Sequence, residues 1–433
     1  MKTKPISKGK SLLIHGGILI GAVILGFLLM MAAYLLPTGR MKANVLASVD
    51  MLEAEGDYPS WGGKNAITKS DQFTDAAMIK AAITEPAGMS LTEKAMLNPL
   101  LAHPKGGIFS QVDLVRAAAE GDYSQGEINK NLRYWNGYLV FLKPLLLLFN
   151  IGEIRVISMM LQGLLLFWCL MMIRKQLSAY YAFAFLVAVL VMAPITIALC
   201  MQYQNTWYIA LGATLLLLYA DKNKRENAWS YIFLGSGICV AFFDLLTCPL
   251  VTLTIPLAVY LALGRKADGR MPWTRVLTAC IAWGIGYGVM WFGKWALATL
   301  LTGENVIQNA LDEVMVRSSG AVDGNPVRYP DVVIANIKAI GKPAMAFLAA
   351  AIAGTAAWLM IRKKKTDARL SWKAPDGWYL FVMVLPLAWF FFTQNHSAVH
   401  TLYTYRIFAG SILAGFFLLG SLTGQKTGET GEA

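Results

Sequence analysis

Charge is scarce in this chain. Only 15% of its 433 residues are Asp, Glu, Lys or Arg, against roughly a quarter in soluble domains. So few ionisable side chains cannot solvate the surfaces of two or three soluble domains, which the length alone would allow. Cysteine is scarce as well. Cys169, Cys200, Cys239, Cys248 and Cys280 all lie inside or at the edge of apolar runs. None has metal-ligand spacing and none falls in a polar loop, which argues against structural disulfides and bound zinc. No adjacent acidic pair occurs in the first long polar segment, no nucleotide-binding motif occurs anywhere, and no internal repeat is visible.

Apolar residues make up 56% of the chain and aromatic residues 12%, with a mean hydropathy of +0.50. A membrane-spanning helix needs about 20 mostly apolar residues. Ten runs approach that requirement: 11–36, 154–173, 179–199, 205–220, 228–246, 248–264, 276–300, 342–361, 377–393 and 401–422. The fold class expected is an all-α polytopic transmembrane bundle of about ten spans. The first run follows Lys2, Lys4, Lys8 and Lys10. It is too long for a signal-peptide core and lacks a small-x-small cleavage site, so it reads as an uncleaved first span.

The net charge of +12 follows from the loops and not from a nucleic-acid partner. With Lys2–Lys10 on the cytoplasmic side, Arg174 and Lys175 fall there too. So do Lys222, Lys224 and Arg225, then Arg265, Lys266, Arg270 and Arg275, then 362–373. The three short turns on the other side, near 200–204, 247 and 394–400, carry no Lys or Arg. This is the positive-inside pattern. It predicts a multi-pass inner-membrane protein with both termini cytoplasmic.

The remaining chain divides accordingly. Residues 1–36 hold the cytoplasmic N-terminus and first span, and 37–153 form an outer loop with juxtamembrane or interfacial helices. Residues 154–423 form the bundle, including a second outer loop at 301–341, and 424–433 read as a disordered cytoplasmic tail. Three pieces of the first loop, 41–52, 71–83 and 110–120, are amphipathic. The segment NGYLVFLKPLLLLF at 136–149 is short and interrupted by Lys143-Pro144, so it reads as interfacial or re-entrant.

Polar residues at membrane depth are costly, and the side on which they gather carries information. Here they gather on the outer side. Asp71 and Asp75 in SDQFTDAAMI share one helix face at spacing i, i+4. Ser70 reads as the cap of that helix. The two acids either stabilise the positive end of the helix dipole or present a general base above the membrane. Asp50 is a weaker candidate of the same kind. Arg133, Tyr134 and Trp135 form either an interfacial anchor or a phosphate contact. His396, His400 and Arg406 in NHSAVHTLYTYR, with Tyr403 and Tyr405, read as an anion pocket. Asp244 in FFDLLTCPLVTLTIP is either functional, or a partner for Arg406 or an N-cap for the next helix. Gln202 and Gln204 complete the outer set. No metal ligand set and no cofactor are expected.

The first span, the acids of SDQFTDAAMI, RYWNGYLVFLKPLLLLF and NHSAVHTLYTYR together resemble the GT-C superfamily of membrane glycosyltransferases. They also look like bacterial membrane proteins carrying NHS-x-x-H and RYW-x-G-Y segments. The likeness in architecture spans nearly the whole chain. It implies a polyprenyl-phosphate sugar donor held in the lipid bilayer, a glycan or lipid acceptor, and transfer at the outer face. It further implies a base among Asp71, Asp75 and Asp50. Phosphate contacts would come from Arg406, His396, His400 and Arg133. A segment containing Arg317, Arg328, Tyr329 and Asp331 would close over the acceptor. The competing expectations are a lipid or polysaccharide flippase, which calls for repeats and polar residues through the bilayer midplane, and a non-catalytic envelope assembly protein.

Overall fold

A computed structural model describes residues 8–63, 65–104, 110–225, 227–268, 271–366 and 376–422. The tail at 424–433 and much of the basic segment 362–373 lie outside the described residues. The described chain is helical apart from two small two-stranded sheets. Five helices are long and apolar enough to cross a membrane: Leu13–Leu35, Ile151–Gln176, Trp273–Thr302, Lys342–Ile361 and Thr401–Leu422. Five shorter apolar helices accompany them, at Leu139–Leu148, Ala179–Leu190, Ala228–Phe243, Val251–Gly264 and Gly377–Phe392.

Proline sets several of the boundaries. The first helix stops at Leu35 because Leu36 precedes Pro37, whose ring disfavours helical geometry at the preceding residue. The expected span 179–199 is not one helix. It breaks into Ala179–Leu190 and Pro194–Leu199, joined by a turn with Ala193 at φ 51°. Pro194 has no N–H to donate and its ring would clash with the carbonyl four residues earlier. The run 228–246 likewise ends early, at Phe243, and the next helix starts at Val251. Between them the Asp244 Oδ2 accepts the Thr247 amide at 2.8 Å, and Leu246 sits in the left-handed region at φ 65°. The run 205–220 is in contrast longer than expected, as helix Met201–Lys222.

Glycine lets two of these helices touch. A Cβ on Gly237 would lie 2.1 Å from the Trp283 carbonyl oxygen, and one on Gly286 would lie 2.4 Å from the Leu234 oxygen. Helices Ala228–Phe243 and Trp273–Thr302 therefore meet backbone to backbone, as small residues permit in apolar surroundings.

The segment expected to form the first outer loop is a folded layer. Helices Gly39–Glu55, Gln72–Ile83, Leu91–Leu97 and Asp113–Glu120 surround a short antiparallel pair, Pro99–Ala102 with Glu127–Lys130. Sequence patterning does not reveal that pair. The layer has its own core, in which Met41, Val45, Val49, Ile79, Leu101 and Val115 meet Met30, Met290 and Ala298 of the long helices. Two buried lysines fasten the layer down. Lys143 Nζ donates to the Ala82 oxygen at 2.6 Å and Lys294 Nζ to the Met96 oxygen at 2.5 Å. Each carbonyl is in the last turn of its helix, where no intrahelical donor remains and the dipole favours a cation. Helix Leu139–Leu148, which carries Lys143, is too short to cross a bilayer and packs on this layer. The segment 301–341, the second expected loop, is also folded: helix Val306–Ser318, a hairpin pairing Ala321–Val322 with Asn325–Pro326, and helix Tyr329–Ala339.

Candidate functional site

Helix Trp273–Thr302 carries Tyr287, Trp291 and Trp295 at intervals of four residues, so their rings form one stripe. Gly303 ends the helix at φ 73°. The chain then turns back, and helix Val306–Ser318 faces the stripe with Ala310, Glu313, Val314 and Arg317. Trp389, Phe392 and Thr393 close a third side, Arg133 and Tyr134 a fourth, and Leu246 contributes from the Asp244 turn. Together they enclose a cavity of about 380 Å³. Its walls are mostly aromatic or aliphatic, and its charged groups are Arg133, Glu313 and Arg317.

Those three groups form one network. Glu313 Oε1 accepts from Arg317 Nε at 2.7 Å, and Glu313 Oε2 lies 3.2 Å from Arg133 Nη1. Arg133 Nη1 also donates to Asn309 Oδ1 at 3.3 Å. Arg317 Nη1 reaches His400 Nε2 at 2.8 Å and His396 Nδ1 at 3.2 Å. A guanidinium can only donate, so both ring nitrogens accept. His396 then carries its proton on Nε2 and gives it to the Leu246 oxygen at 2.8 Å. Burial, reinforced by His400 and Arg317, pushes His396 well below the usual histidine range, and burial with Arg317 takes His400 down to about 4. The pair is neutral. It does not supply the positive charge expected of an anion pocket, which comes instead from Arg317 and Arg133.

The expected pocket is divided in another way. Tyr403 stacks on His400 at 5.2 Å, while Arg406 sits over the Tyr203 ring at 4.1 Å and near Tyr405 at 4.8 Å. Arg406 is buried and does not line the cavity. Its Nη1 donates to the Leu402 oxygen at 3.0 Å, while Nε and Nη2 have no hydrogen-bond partner. No ion pair joins it to Asp244 among the described residues. Asp244 Oδ2 accepts the Thr247 amide of its own turn, while its Oδ1 is buried with no hydrogen-bond partner.

The loop aspartates also have structural partners. Asp71, and not Ser70, caps helix Gln72–Ile83. Its carboxylate accepts the Thr74 amide at 3.0 Å and the Thr74 hydroxyl at 2.9 Å. Asp75 points the other way. It accepts the Met201 and Gln202 amides, both at 2.9 Å, and so caps helix Met201–Lys222 from outside. Burial raises both acids, Asp75 to about 7, against the pull of those amides. Repulsion from Asp71 is the weakest of the contributions on Asp75. Asp50 is exposed and pairs with Arg116 at 2.7 Å. None of the three lines the cavity.

Trp135 is buried away from the cavity, with Nε1 donating to the Met290 oxygen at 2.7 Å. Gln204 Nε2 donates to the Ala198 oxygen at 2.8 Å and braces the Pro194 break. Arg133 and Tyr134 do reach the site, held by Trp295 Nε1 donating to the Arg133 oxygen at 3.0 Å and by the Tyr134–Trp291 edge contact at 5.2 Å. Glu313, Trp291, Trp295 and Trp389 escaped the sequence reading. Two signals were there: the i, i+4 pair Glu313/Arg317 and the four-residue aromatic stripe. No protein-family model, curated protein or solved structure matches the chain.

Proposed function

We propose that this protein is a membrane glycosyltransferase of the GT-C type. It moves a sugar from a polyprenyl-phosphate donor to an envelope acceptor at the outer face of the bacterial cytoplasmic membrane. One observation carries this reading: a single cavity combines aromatic walls with two guanidinium groups, Arg133 and Arg317. Aromatic surface suits an isoprenoid chain and the apolar face of a sugar, and arginine suits a phosphate. In this reading the chain crosses the bilayer about ten times, with both termini cytoplasmic and both long loops outside.

The cavity has one carboxylate among its lining residues, Glu313, while Asp71, Asp75 and Asp50 are engaged elsewhere. The base role therefore passes to Glu313. The acceptor hydroxyl attacks the anomeric carbon and its proton goes to Glu313. The bond from that carbon to the phosphate oxygen breaks, and the departing polyprenyl phosphate keeps its charge against Arg133 and Arg317. The test is a proteoliposome assay with a labelled short-chain polyprenyl-phosphate hexose and an envelope lipid and glycan fraction. Sugar transfer with stoichiometric release of polyprenyl phosphate is expected, and Arg317→Ala should abolish both. Movement of intact donor across the bilayer without release would replace this reading by a flippase.

A further inference from the structure

Glu313 stands where the anion of a ligand would stand. Its two oxygens are divided between two guanidinium groups from distant segments, Arg317 at 2.7 Å and Arg133 at 3.2 Å. The remaining contacts of Arg317 go to His396 and His400, both neutral acceptors. The rest of the lining is mostly aromatic or aliphatic and adds no further charge, its polar groups being Tyr134, Tyr287, Thr393 and the Trp291 Nε1–H, which has no hydrogen-bond partner. A phosphate entering this cavity must therefore compete with Glu313 for the same two cations. The competition is not hopeless. The side chains of Arg133, Glu313 and Arg317 keep 32%, 24% and 26% of their surface exposed. Such partly solvated pairs contribute about 1 kcal/mol or less. A phosphate brings more acceptor oxygens and can engage both arginines bidentately.

We propose that Glu313 is a resident substitute for the ligand's anionic head, and that an isoprenoid-linked phosphate binds by displacing it from Arg133 and Arg317. Displacement leaves the carboxylate unpaired beside the seated donor, so Glu313 becomes available as a base only when the donor is in place. That second half rests on the glycosyl-transfer reading. The exchange itself requires only an anionic amphiphile. Glu313 thus acts both as a filter against weakly bound anions and as a group released by the correct ligand.

The experiment follows the intrinsic tryptophan fluorescence of the full chain in detergent, since Trp291, Trp295 and Trp389 line the cavity. Farnesyl monophosphate, farnesol and inorganic phosphate serve as probes. Glu313→Gln should bind farnesyl monophosphate about fivefold tighter than the wild type, the equivalent of one partly solvated ion pair removed. Its affinity for farnesol should be unchanged. Glu313→Asp keeps the charge but is too short to bridge both arginines, so it should fall between the two. It carries the comparison if Glu313→Gln does not fold. Equal or weaker binding of farnesyl monophosphate by these variants overturns the exchange. Inorganic phosphate matching farnesyl monophosphate assigns the site to a free anion and overturns the lipid specificity. Failure of every form, wild type included, to bind farnesyl monophosphate overturns the glycosyltransferase reading itself. Tighter variant binding together with unimpaired sugar transfer by Glu313→Gln upholds the exchange and removes only the base role.

Discussion

Asp75 Oδ1 accepts the backbone N–H of Gln202 at 2.9 Å across 127 residues of sequence. An acid on one helix thus neutralises the positive end of another. The arrangement joins the layer that follows the first long helix to the bundle and turns a candidate base into a cap. Its consequences can be measured.

The first concerns stability. Asp75→Asn replaces one acceptor oxygen by an amide that cannot accept, leaving the Met201 or Gln202 N–H unsatisfied. That should lower unfolding stability by ~1–3 kcal/mol. The pH dependence should change with it. The folded Asp75 titrates at about 7 against 3.8 for the free group. Its contribution to stability is therefore full below about 4 and is lost as pH rises to about 7. The variant lacks this loss, so its deficit relative to the wild type should shrink across that window. Thermal unfolding in detergent at several pH values measures it. A deficit constant with pH would show that Asp75 does not titrate there.

His400 gives the opposite slope. Its folded value near 4 lies below the free value of 6.5. The unfolded chain binds more protons between these values, so stability is lost as pH falls from about 6.5 to about 4. His400→Gln keeps an acceptor for Arg317 and should gain relative to the wild type as the solution is acidified through this range. Parallel unfolding curves for the two proteins would mean that His400 does not stay neutral in the fold.

Arg406 lends itself to a volume-conserving exchange. With no carboxylate bound to it, Arg406→Met strands no opposite charge and removes two unsatisfied donors. Replacing buried charge by an apolar side chain is often neutral or stabilising. The thermal midpoint of Arg406→Met should equal or exceed that of the wild type. A fall of the size expected from a broken buried ion pair, ~3–5 kcal/mol, would reveal an acidic partner.

Topology gives a direct check on the ten-span arrangement. Single cysteines placed within 45–130 and 305–338, in a background without the five native ones, should react with an impermeant maleimide from outside. A cysteine at position 363 should not. Labelling of position 363 from outside would invert the later spans and separate Arg133 from Arg317 across the bilayer.

What the sequence determined by itself was set by local composition. Long apolar runs, lysine-rich margins and proline placement establish a helical, membrane-embedded chain. The amphipathic pieces of the first loop appear as helices Gly39–Glu55, Gln72–Ile83 and Asp113–Glu120. Hydropathy is a sum over neighbours in sequence, so it reports such elements well. It averaged over Pro194, where apolar residues continue through a broken helix. It also missed the pairing of Pro99–Ala102 with Glu127–Lys130, a contact between strands too short to show a period. The choice of partners belonged to the tertiary structure. Whether Asp75 serves as base or cap depends on helix Met201–Lys222 starting beside it, and Arg406 and Asp244 are both buried without forming an ion pair. The cavity draws on residues 133–134, 246, 287–295, 310–317 and 389–393. No stretch of sequence holds them together. Glu313 and Arg317 already share one helix at i, i+4, but only the tertiary packing brings Arg133 to the second oxygen of that carboxylate.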